Sequence, residues 1–277
     1  MYRVFLLTAL SMVMFAANSV FVRLALVEGA IGAGTFSAIR LVSGALVMAV
    51  LAKVIGRSLK GSWRGALALF GYVAFFSYAY LALSAGVGAL ILFACVQITM
   101  LGVGVYLGER LSPLQMTGVV LAFGGLGWLL LPGSEAPSPA AAIAMIIAGV
   151  CWGIYSLLGR SAKDPIAETA GNFLRASPLA LILVGVVLAV RPEATPTQGG
   201  ITLALASGVI SSGFGYTVWY LTLPMLTAVR AGVAQLTVPI IAAVGGVLFI
   251  AEPVTARLAL AGVLVLGGVG LASFGKR

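Results

Sequence analysis

The sequence contains no histidine, only seven acidic residues and only two cysteines in 277 residues. Charged residues make up 8% of the chain and hydrophobic residues 61%, whereas an average soluble domain carries about 25% charged residues. So few charges cannot cover the water-exposed surface of a chain this long, and we expect lipid to cover it instead. The composition therefore predicts an integral membrane protein.

The missing residue types also limit the chemistry of the chain. Acid–base catalysis and metal binding depend mainly on His, Cys, Asp and Glu. Cys95 and Cys151 fall within predicted spans and are interpreted as small apolar side chains. The sequence therefore predicts no enzymatic activity, no metal site and no cofactor. The seven acids all fall in predicted loops or at span ends: Glu28, Glu109, Glu135, Asp164, Glu168, Glu193 and Glu252.

Hydropathy and breaker residues divide the chain into ten apolar stretches, and a spanning helix needs about 20 apolar residues. The segment PGSEAPSP, residues 132–139, is the clearest linker and separates five stretches from the other five. We expect one five-helix unit over residues 1–131 and a second over residues 140–277. The ten stretches are 4–26, 33–55, 64–84, 87–107, 113–131, 140–159, 167–189, 201–222, 227–250 and 256–274.

Short sequence matches recur in the same order in both halves. FAANSVFVR at 15–23 matches WGIYSLLGR at 152–160, and VYLGERLS at 105–112 matches LFIAEPVT at 248–255. Each match is weak by itself, but their shared order indicates an internal duplication. Further matches are YLAL at 80–83 with YLTL at 220–223, GVVLAFGGLG at 118–127 with GVLVLGGVG at 262–270, and Arg40 with Arg175.

An odd number of helices in each copy forces the two copies to sit upside down relative to each other. Glu109 and Glu252 then hold the same place in the two copies and lie on opposite sides of the membrane. The predicted fold class is all-α integral membrane, with ten transmembrane helices built as two inverted five-helix repeats around a central cavity. Inverted repeats are typical of transporters that bind substrate between the copies.

The distribution of Lys and Arg predicts the orientation in the membrane. If the N-terminus is cytoplasmic, eleven of these residues lie on the cytoplasmic side, and only Arg191 and Arg257 lie opposite. This bias follows the positive-inside rule. We expect a multi-pass membrane protein with both termini cytoplasmic, and we attribute the formal charge of +9 to its loops rather than to nucleic-acid binding.

The paired five-helix units, with GERLSP at 108–113 closing the fourth span, resemble the drug/metabolite transporter superfamily and, within it, the EamA-type exporters. The resemblance covers essentially the whole chain, although the second unit has AEPVT at 251–255 in place of GERLS. The resemblance implies an exporter of small metabolites in the bacterial inner (plasma) membrane. Four helices of each unit would surround the cavity, with the fifth at the periphery. The pattern is also similar to bacterial exporters of aromatic amino acids.

Polar and aromatic side chains in mid-span are candidates for lining the cavity, because polar groups are costly in hydrocarbon. Phe15 and Asn18 match Trp152 and Tyr155, and each pair has the i, i+3 spacing of one helical face. In an inverted repeat these faces meet and form an amphipathic pocket. Interfacial belts and helix–helix contacts are the alternatives. The candidate substrate-binding residues are Phe15, Asn18, Tyr78, Gln97, Trp152, Tyr155, Tyr216, Trp219 and Gln235.

Four charged residues are candidates for gates or helix ends. Arg40 and Arg175 lie about two turns into their spans. Either could face a substrate carboxylate, but we favour snorkelling to the headgroups or pairing at a helix end. Glu109 and Glu252 are interpreted as helix-end residues that pair or hydrogen-bond across a gate.

The residues together predict an exporter of aromatic or hydrophobic amino acids that works by alternating access. Because no acid or histidine falls in mid-span, we expect uncoupled facilitated diffusion. The alternative is export of threonine and homoserine, a purine or a drug, with proton coupling through a span-end carboxylate. A membrane enzyme and a fixed pore are the rival classes. The expected partners are a small amino acid and the lipid bilayer, with no nucleic acid and no obligatory protein partner.

Overall fold

All regular elements in the described part of the chain are helices. The computed structural model describes residues 2–108, 110–133, 136–226, 231 and 234–274. The helices are α1 (Tyr2–Val27), α2 (Ala33–Val54), α3 (Trp63–Ala79), α4 (Ala85–Tyr106), α5 (Pro113–Leu130), α6 (Pro139–Ser161), α7 (Pro165–Val190), α8 (Gln198–Met225), α9 (Thr237–Ile250) and α10 (Ala256–Phe274).

Each predicted apolar stretch overlaps one of these helices. Helix α3 ends at Ala79 rather than at residue 84, because Ser84 begins α4 by accepting a hydrogen bond from Val87 N at 3.4 Å. Part of the stretch predicted at 227–250 lies outside the described residues. Within the described chain, seven helices are long and apolar enough to cross a membrane, namely all but α3, α9 and α10.

Large apolar side chains cover the outward faces of the helices. Leu46 and Val50 on α2 are 64% and 61% exposed, and Leu248 and Val263 on α9 and α10 are 70% and 71% exposed. Each Å² of such surface is unfavourable in water by about 25 cal/mol. This surface is therefore suited to the hydrocarbon of a bilayer.

The helices pack in a small set of pairs. Helix α5 lies along α10 and α2 along α7, while α6 contacts α3 and α4, and α1 contacts α8 and α9. A Cβ on Gly118 would lie 2.4 Å from Gly268 O, and a Cβ on Gly268 would lie 2.5 Å from Gly118 O. Because each glycine faces the other's backbone, a larger residue at either position would separate α5 from α10.

Helix α8 is not a regular α-helix throughout. It is α-helical over Gln198–Ala206, has π-helical hydrogen bonding over Ser207–Phe214 and returns to α-helix over Gly215–Thr222. A π segment changes which side chains share a face, and such segments are frequent at functional sites. Here it alters the face that α8 turns toward α1 and α2.

Candidate functional site

Five aromatic side chains meet where α1, α3, α6 and α8 come together. Trp152 of α6 lies at their centre, with its ring centroid 6.3 Å from Phe15, 4.8 Å from Tyr72 and 5.0 Å from Tyr216. Phe76 lies 5.2 Å from Tyr72. All five side chains are buried, and we call them the ring cluster. The contact between Phe15 and Trp152 joins the two halves, as the matched i, i+3 spacing led us to expect.

The ring cluster surrounds a small cavity in the middle of the bundle. Its volume is about 10 Å³, roughly the space needed by a single water molecule. An amino acid therefore fits only after the rings move apart. The remaining lining residues are Asn18, Ser19, Leu92 and Phe93.

Three other candidates from the sequence lie at or beside the ring cluster. Asn18 lines the cavity, and its Oδ1 accepts a hydrogen bond from Ser207 Oγ at 2.6 Å. Tyr155 stacks on Trp152 with centroids 5.5 Å apart, and Trp219 lies 5.9 Å from Phe15. The aromatic surroundings of the cavity therefore extend one turn further along α6 and α8.

Three candidates do not line this cavity. Tyr78 lies near the end of α3, and its hydroxyl reaches the start of α2, where a Cβ added to Gly34 would lie 3.3 Å from it. Gln97 is 9% exposed and lies one turn beyond Phe93 on α4. Gln235 is half-buried just before α9. These three were selected only as polar or aromatic groups in mid-span, and a position along the span does not indicate which neighbouring helix a side chain meets.

The π segment of α8 turns two serines toward the interior. Ser207 donates to Asn18 of α1, whereas Ser212 accepts from Arg40 of α2. These serines are five residues apart, the repeat of π-helical hydrogen bonding. A Cβ on Gly208 would lie 2.0 Å from Ser43 Oγ and 2.5 Å from Arg40 O. The absence of a side chain at Gly208 therefore allows α8 to approach α2.

Arg40 is enclosed beside the ring cluster and has no exposed surface. Its Nε donates to Ser212 Oγ at 3.1 Å and its Nη2 donates to Tyr72 OH at 3.1 Å. Its Cζ lies 5.1 Å from the ring centroids of Tyr72 and Phe76, within the range of cation–π interaction. The interpretation that Arg40 snorkels to the headgroups is wrong, because α3 and α8 close over the side chain.

Arg175 of α7, the sequence match of Arg40, has a different environment. It is half-buried, and its Nη1 donates to the carbonyl oxygens of Lys60 and Gly171. Lys60 belongs to the link between α2 and α3. Arg175 therefore ties a helix to a neighbouring loop and does not reach the ring cluster.

Glu252 joins three elements just after α9 ends. Its Oε1 accepts from Arg23 Nε at 2.7 Å, and its Oε2 accepts from the backbone N–H of Ala85, the first residue of α4, at 2.7 Å. Ala251 has φ of 56°, in the left-handed region, which turns the chain at the end of α9. Glu109, the predicted counterpart of Glu252 in the first half, lies outside the described residues.

The analysis of the sequence missed the cavity-lining residues Ser19, Tyr72, Phe76, Leu92 and Phe93, and the two serines beside the cavity, Ser207 and Ser212. Tyr72 and Phe76 are on one face of α3 with i, i+4 spacing, a signal that was available. Ser207 and Ser212 lie in the run SGVISSGFG, residues 207–215, whose small and polar character within an apolar span was also visible. Their shared direction was not visible, because it depends on the π segment.

A larger concavity lies on the outer surface, between α4, α9 and α10. Its volume is about 520 Å³, and its lining residues, which include Leu90, Ile240 and Val263, are all apolar. It offers no group that could orient a polar substrate. The smaller central cavity is therefore the candidate site.

An all-helical bundle with an apolar outer surface and a polar, aromatic centre defines a multi-pass membrane protein. The model of the EamA-like transporter family matches residues 139–274. An uncharacterized protein of Pseudomonas aeruginosa is 48% identical over 97% of this chain and 94% of its own length. An uncharacterized transporter of Archaeoglobus fulgidus is 28% identical over 78% of this chain and 80% of its own.

Two further similarities concern one named exporter and one solved structure. The threonine/homoserine exporter RhtA of Escherichia coli K12 is 31% identical over 59% of this chain and 55% of its own. A protein crystal structure matches with a TM-score of 0.65 over 95% of this chain and 96% of that one, and its 20% identity limits the likeness to the fold. The chain belongs to the EamA-like transporters of the drug/metabolite transporter superfamily.

Proposed function

We propose that the chain exports amino acids with aromatic or hydrophobic side chains across the bacterial inner membrane by alternating access. The ring cluster is the observation that carries this proposal. It places aromatic walls and the amide of Asn18 around one central cavity, between helices from both halves of the chain. Binding sites for small molecules combine mostly apolar walls with a few placed polar groups in this way.

The pairing of helices supports ten spans arranged as two inverted repeats, residues 1–131 and 140–277, joined by residues 132–139. In a duplicated chain, helices α1–α5 of the first half correspond to α6–α10 of the second. The pair α3–α6 then corresponds to the pair α8–α1, and the pair α4–α6 corresponds to the pair α9–α1. All four pairs are in contact, and α2–α7 and α5–α10 map onto themselves. This is the pattern expected of two units related by a twofold axis in the membrane plane.

Charge supports the proposed orientation and mechanism. The excess of Lys and Arg favours a cytoplasmic position for both termini. Within the described residues, no Asp or Glu lines the central cavity, and proton relays in membranes usually use such groups. We therefore propose facilitated diffusion without ion coupling. The partners are the amino acid and the bilayer, with no role for nucleic acid or an obligatory protein partner.

A second candidate substrate class is threonine and homoserine. The similarity to RhtA, whose name states these substrates, favours it. Both classes share the α-ammonium and carboxylate groups and differ in the side chain. The ring cluster favours the aromatic class, because its walls offer apolar contact and few partners for a side-chain hydroxyl.

The test is uptake of labelled phenylalanine and labelled threonine into proteoliposomes, with and without an imposed pH gradient. We expect saturable phenylalanine uptake that unlabelled substrate on the opposite side accelerates and that the pH gradient leaves unchanged. Uptake of threonine alone would favour the second candidate. Uptake only with a gradient would overturn the uncoupled mechanism, and transport of neither amino acid would overturn the proposed substrate class.

A further inference from the structure

Arg40 is a fully enclosed cation whose described surroundings contain no anion. The ion pairs among the described residues are Arg23–Glu252 and Arg57–Asp164, and neither includes Arg40. A buried charge is strongly unfavourable unless it is paired. The partners of Arg40 are the neutral hydroxyls of Tyr72 and Ser212 and the ring faces of Tyr72 and Phe76.

The guanidinium also keeps unused hydrogen-bonding capacity. Arg40 and the hydroxyl of Tyr216 are close enough to interact electrostatically, but in the part of the chain that the structure describes neither Arg40 Nη1 nor this hydroxyl makes a hydrogen bond of normal geometry. Arginine has five N–H donors in a planar fork that matches a carboxylate. Two buried polar groups that lack hydrogen bonds in one region cost free energy, and an additional acceptor would offset that cost.

The position of Arg40 connects these groups to the central cavity. Tyr72 and Phe76 touch Arg40 on one side and line the cavity on the other, and Tyr216 also lines the cavity. The cation is therefore separated from the cavity by one layer of rings. If the rings move apart to admit an amino acid, the same movement would open the way to Arg40.

We infer that Arg40 binds the carboxylate of the transported substrate, with the hydroxyl of Tyr216 as a further donor. This inference rests on the proposed function. It assigns the recognition of the substrate's α-carboxylate to one residue. Because the carboxylate is common to aromatic amino acids and to threonine, the site does not depend on which side chain is carried. Substrates without an anionic group would leave the cation unpaired and bind weakly.

The competing explanation is that Arg40 only ties α2 to α3 and α8. That role predicts a loss of stability on substitution, but no change in the preference for carboxylate over a neutral analogue. The experiment therefore measures that preference. It uses the purified full chain and compares phenylalanine with phenylalaninamide, and threonine with threoninamide, as inhibitors of labelled uptake and as ligands that shift thermal unfolding. Phenylacetate serves as a carboxylate without an amine.

For the wild-type chain we expect the amino acid to bind about 10- to 100-fold more tightly than its amide, the range for a hydrogen-bonded charge pair. Arg40→Gln should reduce this ratio to about one. Arg40→Lys keeps the charge without the fork and should retain an intermediate ratio. The matched control, Arg175→Gln, removes the counterpart in α7 and should keep the wild-type ratio.

A folded Arg40→Gln that keeps the preference, or that weakens both ligands equally, overturns the inference. If that variant does not fold, an Arg40→Lys variant with an unchanged ratio overturns it instead. If neither amino acid binds but phenylacetate binds and depends on Arg40, the proposed substrate class fails while the carboxylate site stands. If no carboxylate binds the wild-type chain, both fail.

Discussion

Arg40 and Arg175 occupy matched positions in the two halves of the chain but have opposite surroundings. Arg40 is sealed between α2, α3 and α8 beside the ring cluster, whereas Arg175 is half-buried and bonded to backbone carbonyls near a loop. The difference arises on the neighbouring helices. Ser212 and Gly208 in the π segment of α8 make room for Arg40 and give it a hydrogen-bond acceptor.

This contrast indicates that a duplicated sequence need not produce a duplicated site. The matched pair Phe15 and Trp152 contributes rings to the same cluster from both halves. The matched arginines do not share a role. In the proposed mode of binding, a substrate between two such halves would meet a shared aromatic wall and a cation on one side only. Such a site would orient a zwitterion, because the two charged ends of the substrate would face unlike surroundings.

The largest expected effect comes from removing the central ring. Trp152 contacts Phe15, Tyr72 and Tyr216, so Trp152→Ala should lower phenylalanine uptake by more than about tenfold and cost about 3–5 kcal/mol of stability. Phe15→Ala should have a smaller effect on uptake, since Phe15 lies at the side of the cluster. Uptake rates per folded protein in proteoliposomes check this.

The control for the ring prediction is Trp128→Ala. Trp128 lies on α5 and is 43% exposed, so its removal should leave uptake near the wild-type rate. Equal losses of phenylalanine uptake in Phe15→Ala and Trp152→Ala would show that the two halves contribute equally to transport. Wild-type uptake by Trp152→Ala would contradict the assignment of the ring cluster to the substrate path.

The next effect concerns the matched helix contacts α2–α8 and α7–α3. A Cβ at Gly208 would meet the backbone oxygen of Arg40 at 2.5 Å, whereas a Cβ at Gly65 would meet the side chain of Asn172 at 2.5 Å. A backbone moves less readily than a side chain, so Gly208→Ala should destabilise by about 1–3 kcal/mol and more than Gly65→Ala.

The shift of the thermal unfolding midpoint measures this difference. Gly185→Ala is the matched control, because a Cβ there would have no heavy atom within 4 Å. Its unfolding midpoint should stay the same or rise slightly, since alanine favours helix. Equal destabilisation by Gly65→Ala and Gly208→Ala would show that the two helix contacts tolerate a methyl group equally well. It would contradict the predicted difference between the α2–α8 and α7–α3 contacts.

A smaller effect is expected at the link after α9. Glu252→Gln removes the ion pair with Arg23 but keeps an oxygen that accepts from Ala85 N. A hydrogen bond to a charged group contributes about 1.5–3 kcal/mol, and we expect the lower end because the group is partly exposed. Glu28→Gln, at an exposed position, is the control. An unchanged unfolding midpoint for Glu252→Gln would show that the ion pair with Arg23 contributes nothing to the free energy of unfolding.

The smallest effect compares the residues that end α4 and α9. Gly108 and Ala251 match in sequence, and both have positive φ, 94° and 56°. A left-handed conformation costs a residue with a Cβ about 1–2 kcal/mol. Ala251→Gly should therefore stabilise the chain by about 1 kcal/mol and Gly108→Ala should destabilise it by a similar amount. Opposite shifts of the unfolding midpoint test this, and shifts of the same sign would contradict it.

The sequence by itself determined the membrane character, the approximate helix ranges and the family. These depend on properties that are local or additive: apolar runs long enough to span a bilayer, breakers between them, and short motifs such as GERLSP. It also selected Phe15, Asn18 and Trp152, because i, i+3 spacing and a matching pair in the other half require no knowledge of packing.

The tertiary structure decided which mid-span side chains meet. Tyr78, Gln97 and Gln235 are polar mid-span candidates like Asn18, but they do not line the cavity. Arg40 is enclosed because the π segment of α8 and the missing side chain of Gly208 allow two helices to approach. Contacts of this kind join residues about 170 positions apart, and no local pattern encodes that distance.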